Sequence, residues 1–527
     1  MSHVPSESRS SPVALKRAQG IRYESGGFFF TAEGAQPGDP ADRLPEEEIA
    51  LVLKAPNGDQ GYVIYCLSES ADGHEDPFTL SALATPTLPQ ELLDRYLLAH
   101  VPAHLISDET RQLHVIISTK SGVGKAPRFH EQVIQPLLGA IGLRDDSHAN
   151  DSSDSAAGEQ TRDLGYQVTV TQNSQTVREF ARHLQSPSSR PAGRHHTILL
   201  LSGDGGIVDL LNGRDETPSD GPDSLVCLFP LGTGNALFHS LHRPQYLAHG
   251  DPPAPSPCVL GLRTLFRGHA APLPAFRASF SPRARLVTYA DPDPGAAGDA
   301  LEEPTPQPVE HLVGAIVASY GFHASLVWES DTPEYRRHGA RRFGMAAQEL
   351  LKLGRAYDAS VEVVRCGEPG AASADDAAPA AAAAPLEWAR VVADGQGRFT
   401  YVLATMVSSL EKTFTISPAS RPLDGQLRLV HFGDVGGERT MEVMMAAYQD
   451  GAHVGLTWDG EDGGGGPQRR VGYEPVEALR VTIREEDPRW RKVCIDGTIV
   501  EIEQGGWMEV RRADKSHLGI LVDTYDA

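Results

Sequence analysis

Ile198-Leu199-Leu200-Leu201-Ser202-Gly203-Asp204-Gly205-Gly206 is an apolar run that breaks abruptly into a glycine turn. A helix-like stretch follows it and ends at Leu211-Asn212-Gly213. The same order recurs on both sides. Downstream, Leu225 to Phe229 leads into Pro230-Leu231-Gly232-Thr233-Gly234-Asn235 and then Ala236 to Leu241. Upstream, His114-Val115-Ile116-Ile117 leads into Ser118-Thr119-Lys120-Ser121-Gly122-Val123-Gly124-Lys125-Ala126. A buried parallel strand, a tight glycine turn and a helix N-terminus together make a phosphate cradle, because bare N–H groups point outward and the helix dipole favours anions. Of the three turns, the one at Ser202–Gly206 carries a carboxylate, Asp204, which points past anchoring to catalysis. The pattern suggests transfer of a phosphoryl group.

Working outward, the order from Leu113 is strand, helix (Arg128–Ile141), strand (Tyr166–Thr171), helix (Gln175–Leu184), strand (Thr197–Leu201), helix (Ile207–Leu211), strand and helix. In the second helix Val177, Phe180, Ala181 and Leu184 repeat at i, i+3, i+4 and i+7. Such alternation predicts a three-layer α/β domain with a parallel sheet, whose ligands sit beyond the carboxyl ends of the strands. From about Leu260 the pattern changes to strand-like runs, Val313–Ser319, Tyr401–Ser408, Leu427–His431 and Leu479–Ile483, interrupted by one helical interval, Arg341 to Leu353. That style predicts an antiparallel β-sandwich. The expected division is a β-rich extension over 1–110, an α/β domain over 111–245 and a β domain over 246–527. Insertions biased in Ser, Asp, Ala, Pro or Gly at 145–163, 290–307, 367–385 and 460–467 are expected to be disordered loops.

Composition excludes several classes. A formal net charge of −23 over 527 residues disfavours nucleic acid and strong attraction to anionic lipid. The five cysteines, Cys66, Cys227, Cys258, Cys366 and Cys494, form no C-x-x-C pair, which argues for a reducing compartment. No apolar run approaches membrane-spanning length. The expectation is a cytoplasmic protein that touches a membrane surface transiently at most.

Gly122-Val123-Gly124-Lys125 is not a nucleoside-triphosphatase P-loop, since Thr119 and Ala126 stand where that motif needs glycine and Ser or Thr. The turns instead resemble the diacylglycerol kinase catalytic-domain superfamily, and most closely its sphingosine (long-chain-base) kinase branch. The family's S-G-D-G and E-x-x-N-G appear as Ser202–Gly205 and Asp209–Gly213, and its P-x-G-[ST]-G-N-A as Pro230–Ala236. Its first loop is degenerate, Ser118 and Thr119 replacing Asn-Pro. Tyr320-Gly321-Phe322-His323-Ala324, then Glu329-Ser330, then Tyr335 to Phe343 is similar to a long-chain-base kinase segment, and Asp496-Gly497 stands where the family has D-G-E.

This resemblance implies an ATP- and Mg2+-dependent lipid kinase with its active site in the cleft between the two domains. Asp204 would be the catalytic base. Nucleotide would meet Ser121, Gly122, Gly124, Lys125, Thr171, Gly203, Gly205, Gly206, Gly232, Thr233, Gly234, Asn235, Asp496 and Gly497, with Arg336 and Arg342 reaching across the cleft. Ser325 and Glu329 would address substrate, and Val313–Val317, Phe322, Leu326–Trp328, Phe343 and Met345 are candidate lining for its chain. Two departures stand out. Ser325 replaces an acid that would pair with a sphingoid amine, leaving diacylglycerol or ceramide as alternative substrates. Thr498 replaces the glutamate of D-G-E, which leaves open a catalytically weakened binding homologue.

Overall fold

The computed structural model describes residues 13–24, 27–36, 41–56, 61–70, 76–146, 165–185, 194–214, 222–248, 254–288, 306–339, 341–366, 387–392, 397–458, 468–469, 471–513 and 516–523. The four biased insertions lie outside these residues apart from their ends.

The central layer is a seven-stranded sheet. Its order is His269–Pro272, Leu518–Val522, Ser224–Pro230, His195–Ser202, Arg111–Ile117, Gly165–Val170 and Arg144–Asp145. All neighbours are parallel except the His269–Pro272 edge. Side chains alternate across the sheet, as a period of two requires. Ile198 and Leu200 join one core with Ile207, Leu210 and Leu237; Leu199 and Leu201 join the other with Phe129, Val133 and Leu262. Helices cover both faces because these strands are apolar on both.

The antiparallel domain is a continuous, branched thirteen-stranded sheet, including Phe276–Phe280, Val317–Gly321, Tyr357–Arg365, Arg398–Thr405, Gly472–Ile483 and Trp507–Arg512. The helix Arg341–Leu353 forms where its spacing predicts. Two further helices, Phe322–Ser330 and Gly436–Ala447, add to it.

The division expected at residue 245 does not follow the layers. Helix Pro257–Arg267 packs Val259, Leu262 and Leu265 against the parallel sheet, and both His269–Pro272 and Leu518–Val522 belong to that sheet. The antiparallel domain is therefore inserted between two strands of the α/β unit. Strand pairing of the chain's last segment is a long-range contact that local pattern does not encode.

The N-terminal extension is a six-stranded sheet in the order Asp42–Leu44, Gly27–Ala32, Ala14–Glu24, Phe78–Thr85, Tyr62–Glu69 and Ile49–Lys54. It is fastened to the α/β domain: Ala50, Leu51, Phe78 and Leu80 share a core with Phe129 and Val133. Arg263 donates to the carbonyls of Ile49 at 2.9 Å and Glu46 at 2.7 Å, and lies 4.8 Å over the Tyr96 ring. Removing that side chain strands two carbonyls and a ring face. Arg263→Ala is expected to destabilise the protein by about 3 kcal/mol, visible as a lower melting temperature. An unchanged melting curve would show that the extension is not anchored this way.

Candidate active site

Each glycine turn follows a parallel strand, and the three turns meet at the carboxyl edge of the sheet. Their glycines are needed because backbone touches backbone. A Cβ on Gly232 would stand 2.4 Å from the Gly203 Cα, one on Gly203 would stand 2.8 Å from the Gly232 Cα, and one on Gly122 (φ +57°) would stand 2.7 Å from the Leu231 carbonyl oxygen. Gly206 is closed in by Ser202, 2.9 Å from a notional Cβ, whereas Gly205 is exposed and meets nothing within 4 Å. At Gly205 the edge is open to solvent.

Side chains pin these turns. The Ser121 hydroxyl bridges Ser118 at 2.7 Å and Ser202 at 3.0 Å, joining the first turn to the second. The Thr119 N–H donates to the buried Thr171 hydroxyl at 3.0 Å, and the Thr119 hydroxyl donates to the Thr171 carbonyl at 3.1 Å. Asn235, held in the left-handed region at φ 54°, accepts from the Gly232 N–H at 2.8 Å and donates back to its carbonyl at 3.0 Å. Thr233 and Gly234 are half-buried, and a Cβ on Gly234 would approach the Leu410 carbonyl to 3.2 Å. Gly124 is exposed at φ +74°, and Lys125 is half-buried with its charge near the Cys258 thiol.

Asp204 opens the helix Asp204–Asn212, yet its carboxylate serves a different helix. Its oxygens accept from the N–H groups of Ala236 at 2.7 Å and Leu237 at 3.1 Å. Those are first-turn donors of Ala236–Leu241, which no N-cap side chain satisfies. Burial pushes the Asp204 carboxyl up to about 6, the two N–H groups pulling against that rise. A similar arrangement faces it. The buried Asp496 carboxylate accepts from the N–H groups of Ala315 at 2.6 Å, Ile316 at 3.1 Å and Val317 at 2.6 Å. Burial raises it to about 7, with the Asp204 charge adding to the rise. Asp496 thus organises the 315–317 backbone, and Gly497 completes its turn at φ +88°.

The two domains are stitched at this edge. The Asn212 amide donates to the Val313 carbonyl at 2.8 Å and accepts from the Val313 N–H at 2.9 Å, while Ser240 and Ser409 exchange two bonds at 3.0 Å. Asp209, by contrast, pairs with Arg178 at 2.8 Å. A crevice opens in the seam, lined by Leu237, Leu241, Leu273, Ala315, Met406 and Leu423 among others. Leu237 and Ala315 are the same residues whose N–H groups bind the two acids. Of the expected chain-lining residues, Ala315 borders this crevice. Phe322 lies in the main core, Val327 and Trp328 pack near Cys494 and Ile499, and Met345 is exposed.

Arg336 and Arg342 are brought together, on a residue that the motif reading passed over. Arg336 donates through Nε and Nη2 to the Asp331 carboxylate at 3.1 and 2.7 Å, and Arg342 Nη1 donates to the same group at 2.9 Å. Between them Gly339, at φ +56°, would carry a Cβ 3.6 Å from Val123, so this segment abuts the first glycine turn.

Ser325 and Glu329 sit elsewhere. Ser325 is buried at the start of Phe322–Ser330, hydrogen-bonded to the Tyr357 hydroxyl, whose pKa burial raises to about 12. Strand Val317–Gly321 separates it in the chain from the 315–317 loop. Glu329 pairs with Arg489 at 3.1 Å.

Residues 112–255 match the family model of the diacylglycerol kinase catalytic domain. That segment is similar to a diacylglycerol kinase catalytic domain. The chain is also 25% identical to sphingosine kinase 1 of Homo sapiens over 358 residues, covering 64% of this chain and 77% of that protein. Among solved structures, a diacylglycerol kinase of Bacillus anthracis str. Sterne matches 79% of this chain and 98% of its own, at 11% identity and a TM-score of 0.41. A putative diacylglycerol kinase of that organism covers 79% and 97%, at 10% identity and a TM-score of 0.45. The family similarity falls on the segment that holds the glycine turns. All three turns lie inside the matched segment, whereas Arg336, Arg342 and Asp496 lie beyond it.

The turn packing yields a paired prediction. Gly232→Ala is expected to lower stability by about 1–3 kcal/mol through overpacking. Gly205→Ala is expected to melt near wild type. Equal melting temperatures would contradict the three-turn contact.

Proposed function

We propose that this protein transfers the γ-phosphoryl group of ATP to the hydroxyl of a lipid, with a sphingoid long-chain base as the first candidate. The observation that carries the reading is Asp204, a half-buried carboxylate at the meeting of three glycine turns and beside an apolar crevice. In phosphoryl transfer, positioning and charge stabilisation supply most of the catalysis. The N–H groups of the Gly203–Gly206 and Gly232–Asn235 turns would hold phosphate oxygens. Ser121, Gly122, Gly124, Lys125 and Thr171 would bound the nucleotide on the side of the first turn. Arg336 and Arg342 would neutralise the phosphates from the second domain, their planar forks suiting phosphate oxygens.

Asp204 would accept the hydroxyl proton. Each of its oxygens keeps a second lone pair after serving Ala236 or Leu237, so the cap fixes the base without exhausting it. The hydroxyl end of the lipid would lie at Leu237, and the seam crevice, about 20 Å³ in this structure, would have to widen to admit the chain.

Among the described residues no three His, Cys, Asp or Glu side chains gather as a metal cage. Mg2+ would be carried on the phosphates and touched by one or two carboxylates, with Asp204 and Asp496 as the nearest candidates. When bound, the ion would neutralise charge developing on the transferred group. The protein would act at a membrane surface from the cytoplasm; no helix among the described residues is long and apolar enough to cross a membrane.

The base role is tested by pH and substitution together. Because Asp204 must be ionised to accept a proton, kcat/KM is expected to be level well above pH 6 and to fall as pH drops through about 6. Asp204→Asn is expected to lower kcat by roughly 10²–10⁴. It should also lower the melting temperature, since the amide NH2 would face an N–H of the helix it caps. A folded Asn variant with near-normal turnover would remove Asp204 from the chemistry.

A second test concerns the head group. Serine offers only neutral hydrogen bonds where an acid would pair with an amine cation. Ser325→Asp is therefore expected to raise the turnover ratio of sphingosine to diacylglycerol. An unchanged ratio would mean that Ser325, enclosed beside Tyr357, does not sense the head group.

A further inference from the structure

Asp331 holds both Arg336 and Arg342 of the Tyr335–Phe343 segment. The local chain explains how. Thr332 caps the next turn by accepting from the Tyr335 N–H at 3.3 Å, and Pro333 opens the short helix Pro333–Arg336. That turn carries Arg336 back over Asp331, five residues earlier. The chain then reverses at Gly339, whose positive φ permits it, and Arg342 arrives from the other side. One oxygen, Oδ1, accepts from Arg336 Nε at 3.1 Å and from Arg342 Nη1 at 2.9 Å. The two donor nitrogens thus lie no more than about 6 Å apart. Two guanidinium groups at that spacing repel unless an anion lies between them.

We infer that Asp331 is a positioning residue that gathers Arg336 and Arg342 into one convergent, net-positive grip for the nucleotide triphosphate. The inference rests on the proposed role of these arginines toward ATP. Two guanidinium groups against one carboxylate give these three side chains a formal charge of +1, which favours phosphate. Both arginine side chains keep part of their surface exposed, 33% and 20%, and their segment abuts the exposed first turn through Gly339 and Val123. Preorganisation of this kind reduces the conformational entropy lost when two long side chains must close on one ligand. The opposite reading makes Asp331 a competitor that occupies the forks until phosphate displaces it, and the two readings predict opposite signs.

The test is titration calorimetry of the full chain with Mg-ATP, together with steady-state KM values for ATP and for lipid. The variants are Asp331→Ala, Asp331→Asn, Asp331→Glu, Arg336→Ala, Arg342→Ala and the double variant Asp331→Ala/Arg336→Ala. Asp331→Ala is expected to weaken ATP binding and raise its KM by about tenfold, the lower end for one charged hydrogen-bonded contact, with the lipid KM unchanged. Asp331→Asn, which keeps the shape and loses the charge, should fall in the same direction and serves if the alanine variant does not fold. Asp331→Glu should recover part of the loss. The double variant should bind ATP about as well as Arg336→Ala alone, because the two residues act as a unit. Unchanged or tighter ATP binding in the Asp331 variants, while the arginine variants weaken it, overturns the positioning role and leaves the arginines as phosphate ligands. Unchanged ATP binding in the arginine variants overturns both, by removing the arginine role itself.

Discussion

The Asp204 carboxylate holds the first turn of the helix Ala236–Leu241, a helix that belongs to the next strand–turn–helix unit. A helix N-terminus leaves its first N–H groups unpaired, and a carboxylate there satisfies them while complementing the dipole. Because the donor helix and the acceptor sit on adjacent strands, this bond fixes two of the three glycine turns relative to each other. It also keeps a carboxylate half-buried at the edge where the turns meet, which raises its pKa. Burial raises the carboxyl, and the same two hydrogen bonds that fix the turns restrain that rise. Asp496 repeats the device across the seam, ordering three successive N–H groups from 315 to 317.

The seam follows from these two anchors. The helix that starts at Asp204 ends at Asn212, whose amide grips the backbone of Val313, two residues before the loop that Asp496 orders. One helix therefore spans from the acid of the first domain to the support of the acid in the second. Ser240 and Ser409 add a second stitch beyond the crevice, and Leu518–Val522 returns the chain to the parallel sheet. The two domains meet as surfaces bonded at several points, with the crevice between them bordered by the same backbone that holds the acids.

Much of this was legible in the sequence. Ile198 to Leu201 alternates between two cores, as buried parallel strands must, and the glycines at 122, 203 and 232 mark the turns that touch. Arg341–Leu353 has a helical period and forms with the expected ends. Other features were hidden for physical reasons. Phe322–Ser330 is apolar on most sides and so carries no helical stripe; Gly436–Ala447 opens on two glycines and reads as a turn. Asp204 reads locally as the cap of its own helix, and only the packing of neighbouring strands turns it to the next one. Asp496 reads as a nucleotide contact, and its hold on the 315–317 backbone shows only once the fold brings 496 to that loop. Asp331 escaped attention because the arginine run around it carried the motif. Ser325 was read from its neighbours in sequence, and its enclosure with Tyr357 depends on a strand thirty residues later.

The most direct measurement is phosphoryl transfer from radiolabelled ATP, with Mg2+, to sphingosine, ceramide and diacylglycerol presented in mixed micelles, using the full chain and its Asp204→Asn variant side by side. The account predicts a labelled lipid product that depends on the lipid hydroxyl and is lost in the variant. Label retained in ATP with every lipid, while the protein binds ATP, would contradict it and would describe a nucleotide-binding protein without this chemistry.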